Sequence, residues 1–82
     1  MKITVTLYGR YKHLNNSSQL QLDLPDNATI RHLIDAFIQR YPEIQKDKKR
    51  IMVTKNNTFA PPNTPLTTTD SLSIAPPLVS GG

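Results

Sequence analysis

Polar and apolar residues alternate at the start of the chain. In "KITVTLY", Ile3, Val5 and Leu7 alternate with Lys2, Thr4 and Thr6, the two-residue period of a half-buried strand. "QLQLDL" repeats that period through Leu20, Leu22 and Leu24. Between them, "GRYKHLNNSS" holds Gly9 and the Asn15 to Ser18 cluster, which mark a turn region. The pair reads as an antiparallel hairpin with a long loop. Pro25 closes the second strand, and the period then changes. In "DNATIRHLIDAFIQRYP", Ile30, Leu33, Ile34, Phe37, Ile38 and Tyr41 fall on one face of a helix. Thr29 or Asn27 is placed to cap its start, and Pro42 ends it near Tyr41.

Strand character returns in "RIMVTK", followed by Asn56-Asn57, which tolerate the positive φ of a tight turn. A short strand is expected at Thr58 to Ala60. "PPNTPLTTTDS" is turn-rich and irregular, and "SLSIA" alternates as a last strand stopped by Pro76-Pro77. Strand, strand, helix, strand, short strand, strand is an α+β order, one helix covering one face of a sheet. Residues 1–77 read as one small domain and 78–82 as a flexible tail, with no repeat, linker or second domain.

Composition narrows the chemistry. With 82 residues, 37% hydrophobic and 20% charged, a thin but ordinary core is expected. No apolar run spans a bilayer and the start is no signal peptide, so a cytoplasmic protein is expected, without a membrane partner. The chain has no cysteine, which removes disulfides and any thiolate nucleophile. Neither His13 nor His32 has a second ligand at metal spacing. Asp23, Asp26 and Asp35 form no carboxylate pair, the serines lack a base at motif spacing, and no glycine loop cradles a phosphate. The chain carries no catalytic machinery of its own.

The net charge is +4, much of it in "KDKKR" (Lys46 to Arg50), with Arg10 and Lys12 in a separate group. A solvated loop after the helix is the simpler reading of the run. A nucleic-acid-binding module would use both groups, but no aromatics interleave with them to form a stacking platform.

The end, "PPLVSGG", is different. A diproline stops the last strand, and extended residues beyond it reach about 17 Å. A chance Gly-Gly end is expected in roughly one chain in two hundred. Having no Cβ, Gly81 and Gly82 suit a narrow channel, and what such a tail presents is the α-carboxylate of Gly82. Coupled to a nucleotide phosphate, that carboxylate becomes an acyl donor, and the protein is then the substrate.

These stretches resemble the MoaD/ThiS family of ubiquitin-like sulfur carriers, most closely the molybdopterin synthase small subunits. The resemblance rests on "TIRHLIDAFIQRYP", "NNTFAPPNTPL" and "TDSLSIAPPLVSGG" in that order. It implies a β-grasp fold, with a mixed sheet of four to five strands and one helix on one face. It implies that an E1-like enzyme uses ATP to adenylate Gly82, and that sulfur from a sulfurtransferase replaces the adenylate to give a thiocarboxylate. The tail then enters a large synthase subunit, in a heterotetramer, and gives its sulfur to a pterin precursor of the molybdenum cofactor. No cofactor is bound by the carrier itself. Gly81 supplies clearance beside the reacting group. Tyr8 and Phe59 match the family's apolar partner patch, Lys12 its basic residue, and Pro76, Pro77 and Leu78 the departing tail. By strand position alone, Tyr8 and Phe59 could equally fill the core. Carriage for thiamine or another pathway, and a ubiquitin-like modifier, are the alternatives within this fold. The chain departs from the family in one extra tail residue, in Thr69 where glycine is usual, in Lys55 where the third strand is usually apolar, and in its basic charge.

Overall fold

The structure, a computed structural model, describes residues 1–77. Strand β1 (Lys2–Leu7) pairs antiparallel with β2 (Gln19–Asp23), so that Ile3 faces Leu22 and Val5 faces Leu20. Because side chains alternate along a strand, this register puts all four apolar residues on one face. Helix α2 spans Ile30–Arg40, and β3 (Met52–Lys55), β4 (Thr58–Phe59) and β5 (Leu72–Ala75) follow. The sheet order is β2-β1-β5-β3-β4. β5 enters between β1 and β3, parallel to β1 and antiparallel to β3. The first and last strands thereby meet inside a mixed five-stranded sheet, which is the β-grasp arrangement.

One face of that sheet is the core. Ile3, Val5, Leu7, Val53, Leu72 and Ile74 point to it and are buried, as are Ile30, Leu33, Phe37 and Ile38 of α2. Each such side chain contributes about 1.5–3 kcal/mol of transfer free energy before entropy is subtracted. Ile34 and Tyr41, at the margins of the helical stripe, are half-buried. Thr29 is the N-cap, and the His32 Nδ1 accepts the Thr29 N–H at 2.9 Å, doing the work that glutamate does in a capping box. Asn56 and Asn57 adopt φ of 54° and 69°, as the turn between β3 and β4 requires.

The segment read as irregular, 61–71, closes the open end of α2. The amide of Ile30 donates to the Thr64 carbonyl at 3.0 Å and that of Arg31 to the Pro62 carbonyl at 2.9 Å. Leu66 is buried, and its amide donates to the Ala28 carbonyl at 2.9 Å. The bonds from Ile30 and Arg31 satisfy first-turn donors that a helix leaves without partners. Lys55 donates to the Pro65 carbonyl at 2.8 Å, which gives a polar residue in β3 its task. Thr69 is not among the positive-φ residues, so its turn does not call for glycine.

Two expectations need correction. The loop between the first two strands contains a short helix, α1 (Tyr11–Asn15). Five residues are too few to display a helical period, and Gly9 (φ 60°) and Asn16 (φ 53°) bracket it with turn geometry. The basic run is also not wholly a solvated loop. A 3₁₀ helix covers Pro42–Asp47, and Asp47 at its end is buried. Its Oδ2 accepts from the Arg10 guanidinium at 2.7 Å and from the Tyr11 hydroxyl at 2.9 Å. Tyr11 is fully buried and meets Phe37 edge-on, with ring centroids 5.2 Å apart. Asp47 therefore fastens α1 to the far end of α2.

Burial alone would raise the Asp47 carboxyl, but the hydrogen bonds from Tyr11 and Arg10, with the charges of Arg10 and Lys46, outweigh it and hold it below its ordinary value. Burial, then the bond to Asp47, pushes the Tyr11 hydroxyl well above its own. A carboxyl lowered in the folded state stabilises the protein above its unfolded value of about 3.9, and that contribution disappears as pH falls through the folded value. Asp47→Asn is expected to lose about 1–3 kcal/mol at neutral pH. Its stability should also depend less steeply on pH below about 4, measured by urea unfolding; equal slopes for variant and parent would contradict the assignment.

Candidate functional site

The opposite face of the sheet carries no helix. Alternation sends Thr6 and Tyr8 outward from β1 and its end, Ser73 and Ala75 from β5, Met52 and Thr54 from β3, and Phe59 from β4. The pairings align Thr6, Ser73, Thr54 and Phe59 in one row across four strands. The Tyr8 amide donates to the Ile74 carbonyl at 3.0 Å, extending the β1–β5 ladder by one residue and setting Tyr8 level with Ala75.

Tyr8 is 53% exposed and Phe59 66%, and among the described residues they are the large hydrophobic side chains left in the open. Both therefore belong to a surface patch, and neither fills the core. Three strand spacings, about 14 Å, separate the strands that carry them. Between them lies a hollow of about 350 Å³. Its floor includes Thr54 and Ser73, whose hydroxyls share a hydrogen bond. Every residue lining it is uncharged, in a chain of which 20% is charged. Depletion of charge around exposed aromatics is the composition of an interface core. Thr54 and Ser73 bond to each other, and the uncharged lining suits the hollow to binding.

The same geometry fixes where the chain leaves the sheet. Gly9, at φ 60°, lies under Pro76, and a Cβ there would stand 3.1 Å from Pro76 Cγ. The start of the diproline is thus held beside Tyr8, at one end of the apolar patch, and Pro76 and Pro77 are half-buried. Lys12 is exposed on α1 but does not line the hollow. Leu78, Gly81 and Gly82 lie outside the described residues. At the other end of the patch, the Asn56-Asn57 turn is tied to the approach to β5: Asn56 N–H donates to Ser71 O at 2.7 Å, and Ser71 N–H to Asn56 Oδ1 at 2.9 Å. Asp70 anchors this turn. Burial would raise its carboxyl, but the Thr67 N–H, Asn56 and Lys55 together lower it.

The ThiS family model matches residues 5–82, nearly the whole chain. The chain belongs to the ThiS family. Membership agrees with the resemblance carried by its helix, turn and terminal motifs. Solved structures share the fold of this ThiS-family chain at low sequence identity. A putative molybdopterin converting factor subunit 1 from Pyrococcus furiosus is 19% identical, with TM-score 0.81 over 95% of this chain and 99% of that one. The small archaeal modifier protein 1 of Haloferax volcanii is 20% identical, with TM-score 0.78 over 94% and 98%. A complex of subunits 1 and 2 of the molybdopterin-converting factor from Helicobacter pylori matches at 21% identity, TM-score 0.63, over 99% of this chain and 100% of that one. No curated protein matches the sequence.

No residue of the patch was singled out by sequence except Tyr8 and Phe59, and those through the resemblance. Gly9 was legible as a turn former, but its role as a seat for Pro76 needs the fold. Gly9→Ala is expected to cost about 1–2 kcal/mol, since a Cβ strains the left-handed backbone. It should also displace Pro76, seen as a shifted Ala75 amide resonance. Gly9→Asn, which tolerates the backbone better, should recover part of the stability but not the Ala75 resonance. An unmoved resonance in both variants would refute the packing of Gly9 against the exit.

Proposed function

We propose that this protein is a cytoplasmic sulfur carrier, the small subunit of a molybdopterin synthase. The observation that supports it most is the uncharged Tyr8–Phe59 face set directly beside Pro76-Pro77, in a ThiS-family chain whose sequence continues to Gly81-Gly82. The face docks a partner, and the tail is delivered into that partner's active site.

The chemistry runs on the Gly82 carboxylate. A carboxylate oxygen attacks the α-phosphorus of ATP on an E1-like enzyme, releasing pyrophosphate and leaving an acyl adenylate. The persulfide of a sulfurtransferase attacks the acyl carbon and AMP departs. A thiol of the enzymes then cleaves the resulting acyl disulfide, leaving a thiocarboxylate on Gly82 and a disulfide on the enzymes. Gly81 gives the enzymes access to that carbon, and Leu78 continues the apolar path from Pro77. Lys12 meets an acidic group at the rim of the docked face. The thiocarboxylate sulfur then attacks a carbon of a pterin precursor bound by the large subunit, displacing an oxygen leaving group. Water cleaves the resulting thioester, leaving the sulfur on the precursor and a carboxylate on Gly82. These steps run in a heterotetramer like the one the family resemblance implies. The carrier holds no cofactor; ATP belongs to the activating enzyme. The partnership of subunits 1 and 2 in the Helicobacter pylori complex supports a large-subunit partner here. A second reading, a ubiquitin-like modifier joined to lysines, is favoured by the likeness to the small archaeal modifier protein.

Recovery of the full chain from its native cell, followed by intact-mass analysis, tests the proposal. Expected are a terminal oxygen exchanged for sulfur and co-recovery of a pterin-binding subunit. A thiazole-forming partner would transfer the role to thiamine synthesis, and an amide-linked lysine adduct would make the chain a modifier. Removing Gly81 and Gly82 should abolish the sulfur adduct and leave thermal unfolding unchanged. Phe59→Asp should weaken binding to the large subunit by at least about tenfold, read by calorimetry, because it buries an unpaired charge.

A further inference from the structure

Much of the positive charge of the chain collects around α1 and the 3₁₀ helix. Asp47 draws Arg10 and α1 against the end of the 3₁₀ helix, so two groups distant in sequence become neighbours. Six of the ten cations lie there: Arg10, Lys12, Lys46, Lys48, Lys49 and Arg50. Three acids accompany them, Glu43 and Asp47 on the 3₁₀ helix and Asp35 reaching from α2. That leaves this end at +3, against +4 for the whole chain.

Two of the acids are already committed. Asp47 is held by Arg10 at 2.7 Å, and Asp35 by Lys48 at 3.3 Å. Among the described residues, Lys46, Lys49 and Arg50 are exposed and make no ion pair. Lys46 also lines a notch of about 240 Å³ floored by Tyr11, Leu14 and Ile44, with Arg10 and Glu43 on its rim. Leu14 is half-buried, so its apolar surface is partly in the open. The notch has room for a leucine-sized side chain. A nucleic acid would use the cations but not the apolar notch, and the ring nearest to it, Tyr11, is buried and offers no stacking surface. A polypeptide matches both features.

We propose that this end is a second docking surface, which takes an acidic segment of a partner protein. One aliphatic side chain of that segment enters the Leu14–Ile44 notch, and its flanking carboxylates meet Lys46, Lys49 and Arg50. The notch shares no lining residue with the Tyr8–Phe59 hollow, and the proposal does not depend on the carrier reading. Its charge steers encounter and favours acidic partners over basic ones.

The test uses the full-length isotope-labelled chain, titrated with a synthetic peptide of glutamates around a single leucine and followed by amide chemical shifts. Shifts at Leu14, Ile44 and Lys46 are expected, without shifts at Tyr8 or Phe59. Affinity should fall several-fold as salt rises from about 50 to about 200 mM. It should fall by at least about tenfold in Lys46→Glu/Lys49→Glu/Arg50→Glu, whose side chains are exposed and whose unperturbed spectrum checks the fold. Replacing the peptide leucine by serine should weaken binding several-fold. No binding at millimolar peptide, shifts confined to the Tyr8–Phe59 face, or equal binding by the triple variant would each overturn the proposal. So would tighter binding of an oligothymidylate of equal charge at the same residues, which would make the surface a nucleic-acid site.

Discussion

The parallel pairing of β5 with β1 organises this molecule. Val5 with Leu72, Thr6 with Ser73 and Leu7 with Ile74 join the two ends of the chain at the middle of the sheet. Parallel neighbours need a long crossover, and everything between them, including α2, is that connection. The pairing completes the core on one side through Leu72 and Ile74. On the other side it aligns Thr6, Ser73, Thr54 and Phe59 into a continuous uncharged surface. It also delivers Pro76 to Gly9, next to Tyr8. Because β5 is central and runs directly into Pro76 and Pro77, the stability of the sheet and the position of the diproline are one property.

That dependence explains what the sequence could tell. The strands and α2 are visible because their apolar periods are long enough to count. The Asn56-Asn57 turn and the Thr29 cap are visible because their chemistry is local. The partner of each strand is not local: nothing in "SLSIA" says that it lies between "KITVTL" and "RIMVTK". Tyr8 and Phe59 stood at strand positions that fit either face, and only the register sends both outward. The resemblance to ubiquitin-like carriers supplied the expectation of an apolar partner patch, and the register shows both side chains exposed.

The passages misread by pattern share a cause. Asp47 sits among Lys46, Lys48 and Lys49, where an acid looks like one more solvated charge. Its partners, Arg10 and Tyr11, are 37 and 36 residues away. α1 is held by tertiary contacts and not by its own five residues, which are too short to be stable alone. "PPNTPL" is irregular, as its turn residues indicate, but nothing in it shows that its carbonyls accept from α2 amides 31 and 34 residues earlier. In each case the stabilising contact is long-range.

The division of labour is then physical. Charge is kept off the face where a docked partner would have to strip its water, since burying an unpaired charge costs more than such a contact returns. Much of the positive charge is gathered instead around α1 and the 3₁₀ helix, which Asp47 fastens together. Whether the bare face and the tail act as one unit is measured most directly by photo-crosslinking from position 8 and from position 59 of the full chain in its native cell. The account predicts that both positions capture the same partner, joined to chains that bear sulfur at Gly82. Capture of unrelated partners from the two positions, or none from either, would contradict it.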